Sequence, residues 1–379
     1  MADAGSSSQQ PRLSSLDVLR GITVAVMILV NNAGDGASSY MQLKHSTWNG
    51  CTIADVVFPL FLFIVGASTA LSFGARLERG VSRSAIAVQL LRRSATIFAL
   101  GLLLNALPFF DFHHLRVFGV LQRIAICNVL VGLLFLYGRA RACLIAIPLL
   151  LFGYAYLLLH GSVPGFGRAG IEIPVLDRYA NLPAWLDRHI LPAAHLYRQS
   201  TYDPEGLLST LGALATTLLG LMTALCLKTS QPLRRKSFLL ALTGILCVNG
   251  GMLWSHSLAL NKRLYTSSFA LFTSGIAMGL LAVLYLSIDG AKRPRRGLTP
   301  WLVFGSNALF AYIFSEVLAI ALAVIPGYGG LNLQQQLFHL LPAALGPPPL
   351  VSLIYSILFV AACYGATYFL YRRRIFLKL

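Results

Sequence analysis

The chain has 379 residues, of which 56% are hydrophobic and only 11% charged, and its mean hydropathy is +0.71. Because soluble domains carry about 25% charged residues, this composition excludes an ordinary soluble protein and indicates a polytopic membrane protein. The net charge of +17 does not indicate nucleic-acid binding, since the basic residues form short clusters between apolar runs. The six cysteines are scattered without a CxxC pair, so neither a disulfide framework nor a metal site is expected.

Apolar runs follow one another along the chain, and each approaches the ~20 residues that a membrane-spanning helix needs. We therefore predict an all-α fold: a polytopic transmembrane bundle of about ten helices, embedded in membrane lipid. Residues 15–379 form one membrane domain, and residues 1–14 are predicted to be a disordered cytoplasmic tail. The predicted helices are 16–34, 52–74, 85–107, 118–137, 142–159, 206–227, 238–253, 267–288, 301–325 and 350–371.

Basic residues occur in alternate connections between these helices. The positive-inside rule places such connections in the cytoplasm. Both termini are then cytoplasmic, and the connection that contains His45 faces the opposite side. The basic residues that set this orientation are Arg76, Arg79, Arg83, Arg139, Arg141, Lys228, Arg234, Arg235, Lys236, Lys292, Arg293, Arg295, Arg296, Arg372, Arg373, Arg374 and Lys378.

The outer, periplasmic face also carries a long segment, residues 160–204, rich in proline and aromatic residues. Within it, residues 182–189 are predicted to form a short amphipathic helix that lies on the membrane. A long structured loop of this kind is either a lid or acceptor site, or a packed plug without a ligand.

A short polar loop, residues 41–50, separates the first two apolar runs and contains His45. An imidazole can act first as a base and then as an acid near neutral pH. Asp55, at the start of the second run, is the candidate that would hold the ring in one tautomer. Asn31 or Asn49 could donate a hydrogen bond to a developing oxyanion. The alternative is an interfacial histidine that caps a helix or contacts lipid.

Polar and ionisable residues also occur inside or at the ends of the other predicted helices, where they are costly without a partner. Arg123 in particular must find a carboxylate or a substrate oxygen. Asp17 and Arg20, three residues apart, can be a simple interfacial ion pair. By topology one set shares the outer level, and we expect it to form a common site: His45, Asp55, Gln122, Arg123, Asp203, Glu205, Asn261 and Lys262.

Several short motifs occur in a fixed order along nearly the whole chain. They are SLDVLRG (15–21), VN (30–31), KHSTWNG (44–50), TIADVVFP (52–59), GVLQR (119–123), YDPEG (202–206), NK (261–262) and GSN (305–307). This set resembles the membrane domain of the heparan-α-glucosaminide N-acetyltransferase family, within the transmembrane acyltransferase superfamily. With no targeting signal, the chain looks like a bacterial inner-membrane homologue, for which a smaller amino sugar or oligosaccharide is the expected acceptor.

The resemblance implies a transmembrane acetyltransferase that moves an acetyl group from cytoplasmic acetyl-CoA to the amino group of a glucosamine-type sugar at the periplasmic side, without a metal. It also implies a homodimer. The family's essential histidine falls on His45 and its important asparagine on Asn31, with Asp55 as the third catalytic candidate. The acceptor-binding candidates are Trp48, Asn49, Gln122, Arg123, Asp203, Glu205, Asn261 and Lys262. The candidates for binding acetyl-CoA are Arg20, Arg92, Arg93, Ser306 and Asn307.

Two other functions fit the same residues. In a sugar transporter of the inner membrane, the polar groups would bind a sugar and relay protons, and internal repeats and midplane sites would favour it. A non-catalytic membrane scaffold is the third possibility, but it leaves His45 and Arg123 without a role. For the acetyltransferase itself, the sequence leaves open whether the amine attacks the thioester directly or an acetyl-histidine forms first.

Overall fold

The computed structural model describes residues 13–199, 201–290 and 295–377. These residues form a bundle of helices and one short antiparallel hairpin of two-residue strands, β1 (Ser162–Val163) and β2 (Gly167–Arg168). The helices are α1 (Ser14–Asn31), α2 (Ile53–Glu78), α3 (Arg83–Ala106), α4 (Val120–His160), α5 (Leu182–Ile190), α6 (Thr210–Leu227), α7 (Leu233–Trp254), α8 (Ser267–Leu284), α9 (Thr299–Ser306), α10 (Ala308–Val324), α11 (Leu333–His339) and α12 (Pro348–Arg372).

Eight of the described helices are long and apolar enough to cross a membrane, and the bent pair α9 and α10 makes a ninth if it is counted as one span. The helix α4 has 41 residues, long enough for two crossings, and its backbone leaves the helical conformation at Arg139 (φ 61°). One arm reaches the segment before α6, where Arg123 donates to the Gly206 carbonyl oxygen (2.8 Å). The other arm reaches the segment before α8, where the Tyr154 hydroxyl donates to Leu264. The predicted all-α polytopic bundle is therefore confirmed, and the gap predicted between residues 137 and 142 marks a reversal of the chain.

The predicted helix 301–325 is not continuous. The chain bends by 83° between α9 and α10, and Asn307 lies at the break. Its Nδ2 donates to the Ile375 carbonyl oxygen (3.1 Å), and its Oδ1 accepts from the Leu377 amide (3.0 Å). An asparagine side chain that pairs with distant backbone in this way competes with regular helix formation. The prediction of one continuous helix over 301–325 was wrong, because the break depends on backbone partners at residues 375 and 377, which are distant in the sequence.

Some sequence predictions lie outside the described residues. They include residues 1–12 of the predicted disordered tail, and Lys292, Arg293 and Lys378 of the basic connections. The first described helix begins at Ser14.

The core of the bundle is built on close backbone contact between α2 and α6. A Cβ placed on Gly66 would lie 1.8 Å from the Thr217 carbonyl oxygen, and one on Gly220 would lie 2.0 Å from that of Phe63. Small residues allow membrane helices to approach at this distance, where dispersion between the two backbones stabilises the pair. The contact fixes α2, and hence Asp55 near its start, relative to α6.

We expect Gly66→Ala to lower thermal stability substantially, because the added methyl group forces α2 and α6 apart, at a cost of about 1–3 kcal/mol. Gly153→Ala is the matched control, since a Cβ on Gly153 meets nothing within 4 Å. Alanine is also the better helix former, so the control should be neutral or slightly stabilised. Thermal unfolding of the purified variants in one detergent measures both. Equal midpoints would contradict the proposed contact.

The long segment before α6 is folded onto the bundle. Asn181 caps α5 by accepting a hydrogen bond from the Ala184 amide (2.8 Å), so the predicted short helix is present. Its face with Pro183, Ala184 and Asp187 is buried against protein. Asp187 accepts from the Leu207 amide (3.0 Å), and burial raises the pKa of Asp187 to about 6. The segment thus packs against the bundle and, through Asp187, positions the residues that lead into α6.

Candidate functional site

The loop before α2 places a histidine directly over the first turn of that helix. Thr52 precedes α2, and its backbone amide donates to Asp55 Oδ2 (3.1 Å). Its hydroxyl lies between the Lys44 carbonyl oxygen (2.7 Å) and the same Oδ2 (3.1 Å). This is a helix N-terminal cap in which a carboxylate three residues on satisfies amides that the helix leaves unpaired. Gly50 (φ 113°) donates its amide hydrogen to the Leu260 carbonyl oxygen (2.7 Å), which ties the loop to the segment before α8.

His45 and Asp55 form the centre of this arrangement. Nδ1 of His45 lies 3.0 Å from Oδ1 of Asp55, whose side chain is fully buried, whereas the imidazole is 40% exposed. The Ser46 amide also donates to Asp55 Oδ2 (3.0 Å), so the carboxylate is held on several sides. A carboxylate beside Nδ1 retains the proton there, which leaves Nε2 as the basic nitrogen. The pair has the geometry of a general base with its orienting acid.

Lys262 completes a triangle with these two residues. Its amine lies 3.0 Å from Nδ1 and 3.4 Å from Nε2 of His45, and 3.5 Å from Oδ1 of Asp55. The neighbouring Asn261 fixes its position, because Nδ2 of Asn261 donates to Oδ1 of Asn49 (3.0 Å). Burial lowers the pKa of the Lys262 amine, and this outweighs the opposite effect of Asp55 and Glu205. The amine of Lys262 is therefore held against both the imidazole and the carboxylate.

An arginine that sequence reasoning missed holds the acidic side of the site. Arg116 pairs with Asp203 through Nε to Oδ2 (3.0 Å) and Nη2 to Oδ1 (2.6 Å), and its Nη2 also reaches Glu205. Such a forked pair is strong and directional. Burial raises the pKa of Glu205, but Arg116, Arg123 and Lys262 outweigh it, so this pKa lies below its usual value.

Gln122 and Arg123 lie one layer deeper and are almost completely buried. Arg123 donates to the Gly206 carbonyl oxygen (2.8 Å) and to the Ser209 hydroxyl, rather than to a carboxylate. The Gln122 carboxamide packs against Gly101. Arg123 therefore supports the segment that leads into α6, whereas Gln122 packs against α3.

Two further candidates on the outer side, Trp48 and Asn31, differ in their surroundings. Trp48 donates its indole N–H to the Leu176 carbonyl oxygen (2.9 Å), and its ring packs edge-on against Tyr202 (5.4 Å). Arg178 lies over the Trp48 ring at 5.4 Å, so Trp48 joins the loop to the long segment. Asn31 ends α1, and its exposed side chain makes no hydrogen bond to another described residue.

The candidates for binding acetyl-CoA lie at the other end of the bundle and fall into two groups. Arg20 donates to Asp17 (2.7 Å), to the Gly305 carbonyl oxygen (3.2 Å) and to the Ser68 hydroxyl (2.8 Å). Arg92 and Arg93 are exposed on α3. In contrast, the hydroxyl of Ser306 donates to the Val303 carbonyl oxygen. The Asn307 amide is occupied by the tail, as described above.

Comparison with known proteins gives a consistent result. Residues 12–165 match the family described as heparan-alpha-glucosaminide N-acetyltransferase, catalytic. The chain is similar to the human protein named heparan-alpha-glucosaminide N-acetyltransferase, with 30% identity over 365 residues, covering 82% of this chain and 54% of the relative. The mouse protein of that name is 27% identical over 376 residues, with 84% and 56% covered. The chain thus spans about half the length of the curated relatives it matches.

Proposed function

The chain belongs to the heparan-α-glucosaminide N-acetyltransferase family, and on that premise we propose that it transfers an acetyl group from acetyl-CoA to the amino group of a glucosamine-type sugar. The observation that best supports this activity is the His45–Asp55 pair, because acyl transfer to an amine needs a base beside the thioester carbon. The proposed substrate class is inferred from the family, and the proposed general base is inferred from the His45–Asp55 pair.

In the proposed reaction His45 Nε2 removes a proton from the attacking amine, and the new C–N bond forms as the C–S bond breaks. The same proton is then available to the leaving thiolate of CoA, so atoms and charge balance. Asp55 stabilises the imidazolium formed in between. Lys262, held beside the ring, is placed to stabilise the negative charge that develops on the thioester oxygen. The same Nε2 serves either direct attack by the amine or a transient acetyl-imidazole.

The proposed sidedness follows from charge. The basic connections lie at the end of the bundle opposite His45, and the positive-inside rule makes that end cytoplasmic. Arg20, Arg92 and Arg93 are the cations proposed to meet the phosphates of CoA. The thioester then reaches His45 through the bundle, and the sugar approaches from the outer face, past Asp203 and Glu205.

One binding experiment tests the proposal and separates it from sugar transport. Acetyl-CoA should raise the unfolding midpoint of the purified protein, since a ligand at about 100 times its Kd stabilises by ~2.7 kcal/mol. The same protein, reconstituted in vesicles, should convert glucosamine to N-acetylglucosamine at the expense of labelled acetyl-CoA. CoA without the acetyl group is a control for binding through the phosphates. Stabilisation by glucosamine alone, with no effect of acetyl-CoA and no acetylated product, would favour a transporter instead.

A further inference from the structure

Lys262 places a primary amine of the chain itself beside the proposed general base. Its Nζ lies 3.4 Å from Nε2 of His45, close to the reach within which a base removes an N–H proton. The side chain is 18% exposed, so the amine is not sealed off from an incoming thioester. The amine of an acceptor sugar needs the same place, because it too must give a proton to Nε2. Lys262 therefore has the geometry of a built-in acceptor amine.

The surroundings of Lys262 favour its neutral form, which is the nucleophile. Asp55 Oδ1 lies 3.0 Å from Nδ1 of His45 and keeps a proton there, so Nδ1 has no lone pair to offer Lys262. In the part of the chain that the structure describes, an ammonium would have two hydrogen-bond acceptors left, Nε2 (3.4 Å) and Asp55 Oδ1 (3.5 Å), and both are distant. Burial accordingly lowers the pKa of the amine. A neutral amine still has N–H donors for a thioester oxygen, as the proposed reaction requires.

Lys44 shows that nearness in sequence to His45 does not produce this geometry. It directly precedes His45, but its amine donates to the Ala37 carbonyl oxygen. That hydrogen bond ties Lys44 to the start of the loop. Lys262 reaches His45 from the segment before α8, which the hydrogen bond from Asn261 to Asn49 (3.0 Å) joins to the loop.

We propose that Lys262 is a self-acetylation site, which takes the acetyl group of bound acetyl-CoA when no sugar is present. This assignment rests on the proposed function, because it uses the same thioester and the same base. Nζ attacks the thioester carbon, and the C–N bond forms as the C–S bond breaks. The proton passes from Nζ to Nε2 of His45 and then to the thiolate of CoA. The product is a stable amide that fills the space beside Nε2, so self-acetylation inactivates the protein and a bound acceptor sugar protects it.

Peptide mass spectrometry tests the assignment on the purified full chain after incubation with acetyl-CoA and no sugar. Lys262 should be acetylated about 10²-fold faster than Lys44, since only Lys262 has a base beside its amine. Lys44 is thus an internal control for uncatalysed acetylation. His45→Ala should slow acetylation of Lys262 by about 10²–10⁴-fold and leave that of Lys44 unchanged. Glucosamine added with acetyl-CoA should slow acetylation of Lys262 in the wild type.

Lys262→Arg provides a second measurement, because it keeps a cation and removes the acceptor amine. After incubation with labelled acetyl-CoA and no sugar, the wild type should retain label that resists hydroxylamine, as an amide does. Lys262→Arg should retain none, and thermal stabilisation by acetyl-CoA shows that the variant is folded and still binds it. Hydroxylamine cleaves an acetyl-imidazole, so a label on His45 is not mistaken for one on Lys262.

Three results would each overturn the assignment. The first is a Lys262 that stays unmodified in the wild type. The second is equal acetylation of Lys262 and Lys44, which would indicate uncatalysed reaction with the thioester. The third is acetylation of Lys262 in His45→Ala at the wild-type rate. Failure of the proposed function has a separate signature, since the wild type would then form no N-acetylglucosamine, whatever the state of Lys262.

Discussion

His45→Ala is expected to reduce acetyl transfer from acetyl-CoA to glucosamine by about 10²–10⁴-fold, the usual contribution of a general base. The fold should persist, since the imidazole is 40% exposed and its removal leaves little empty space. Asp55 keeps its backbone donors at Oδ2, and Lys262 remains 3.5 Å from Oδ1, so the buried carboxylate is not left alone. The rate of N-acetylglucosamine formation in reconstituted vesicles measures the effect.

His113→Ala is the matched control, because His113 is exposed in the connection between α3 and α4 and belongs to no part of the proposed site. It should retain the wild-type rate. Both variants should show the wild-type stabilisation by acetyl-CoA, which separates loss of chemistry from loss of binding. If His45→Ala turned over glucosamine at a rate near that of the wild type, His45 could not be the base.

Features encoded within a short stretch could be predicted from the sequence. The all-α polytopic bundle depends only on the length of each apolar run, and it was confirmed, although eight or nine candidate spans are found among the described residues where about ten were predicted. The pairing of His45 with Asp55 could also be predicted, because the loop that contains His45 is short and leads directly into α2. A carboxylate in the first turn of a helix faces back toward the residues just before it. The helices and the His45–Asp55 pair are therefore both determined by residues that lie close together in the sequence.

Features that depend on distant segments could not be predicted. Arg116 lies 87 residues from Asp203 along the chain, in a connection where a single arginine has no distinctive pattern. The only available signal was indirect: two carboxylates expected at one buried level require a cation. Lys262 lies 217 residues from His45, so its place against the ring follows from how α7 and α8 pack. The break at Asn307 depends in the same way on the returning tail.

Asp55→Asn should lower kcat by about 10²–10⁴-fold, although it leaves His45 in place. The backbone donors at Oδ2 require an acceptor there, so the asparagine oxygen takes that position. Its NH₂ group then points at Nδ1 of His45 and makes that nitrogen an acceptor. The imidazole proton consequently moves to Nε2, which is no longer a base. Steady-state kinetics with glucosamine should show the loss in kcat, with the KM for acetyl-CoA near that of the wild type.

Thr52→Val separates this effect from damage to the helix cap. The substitution removes the hydroxyl, which lies 2.7 Å from the Lys44 carbonyl oxygen and 3.1 Å from Asp55 Oδ2, but leaves the carboxylate and both backbone donors. Loss of a cap costs about 1 kcal/mol, so Thr52→Val should lower the unfolding midpoint while keeping most of its turnover. Asp55→Asn, in contrast, should lose turnover far out of proportion to its stability. Equal losses of kcat in the two variants would show that Asp55 serves the fold of the loop and not the tautomer of His45.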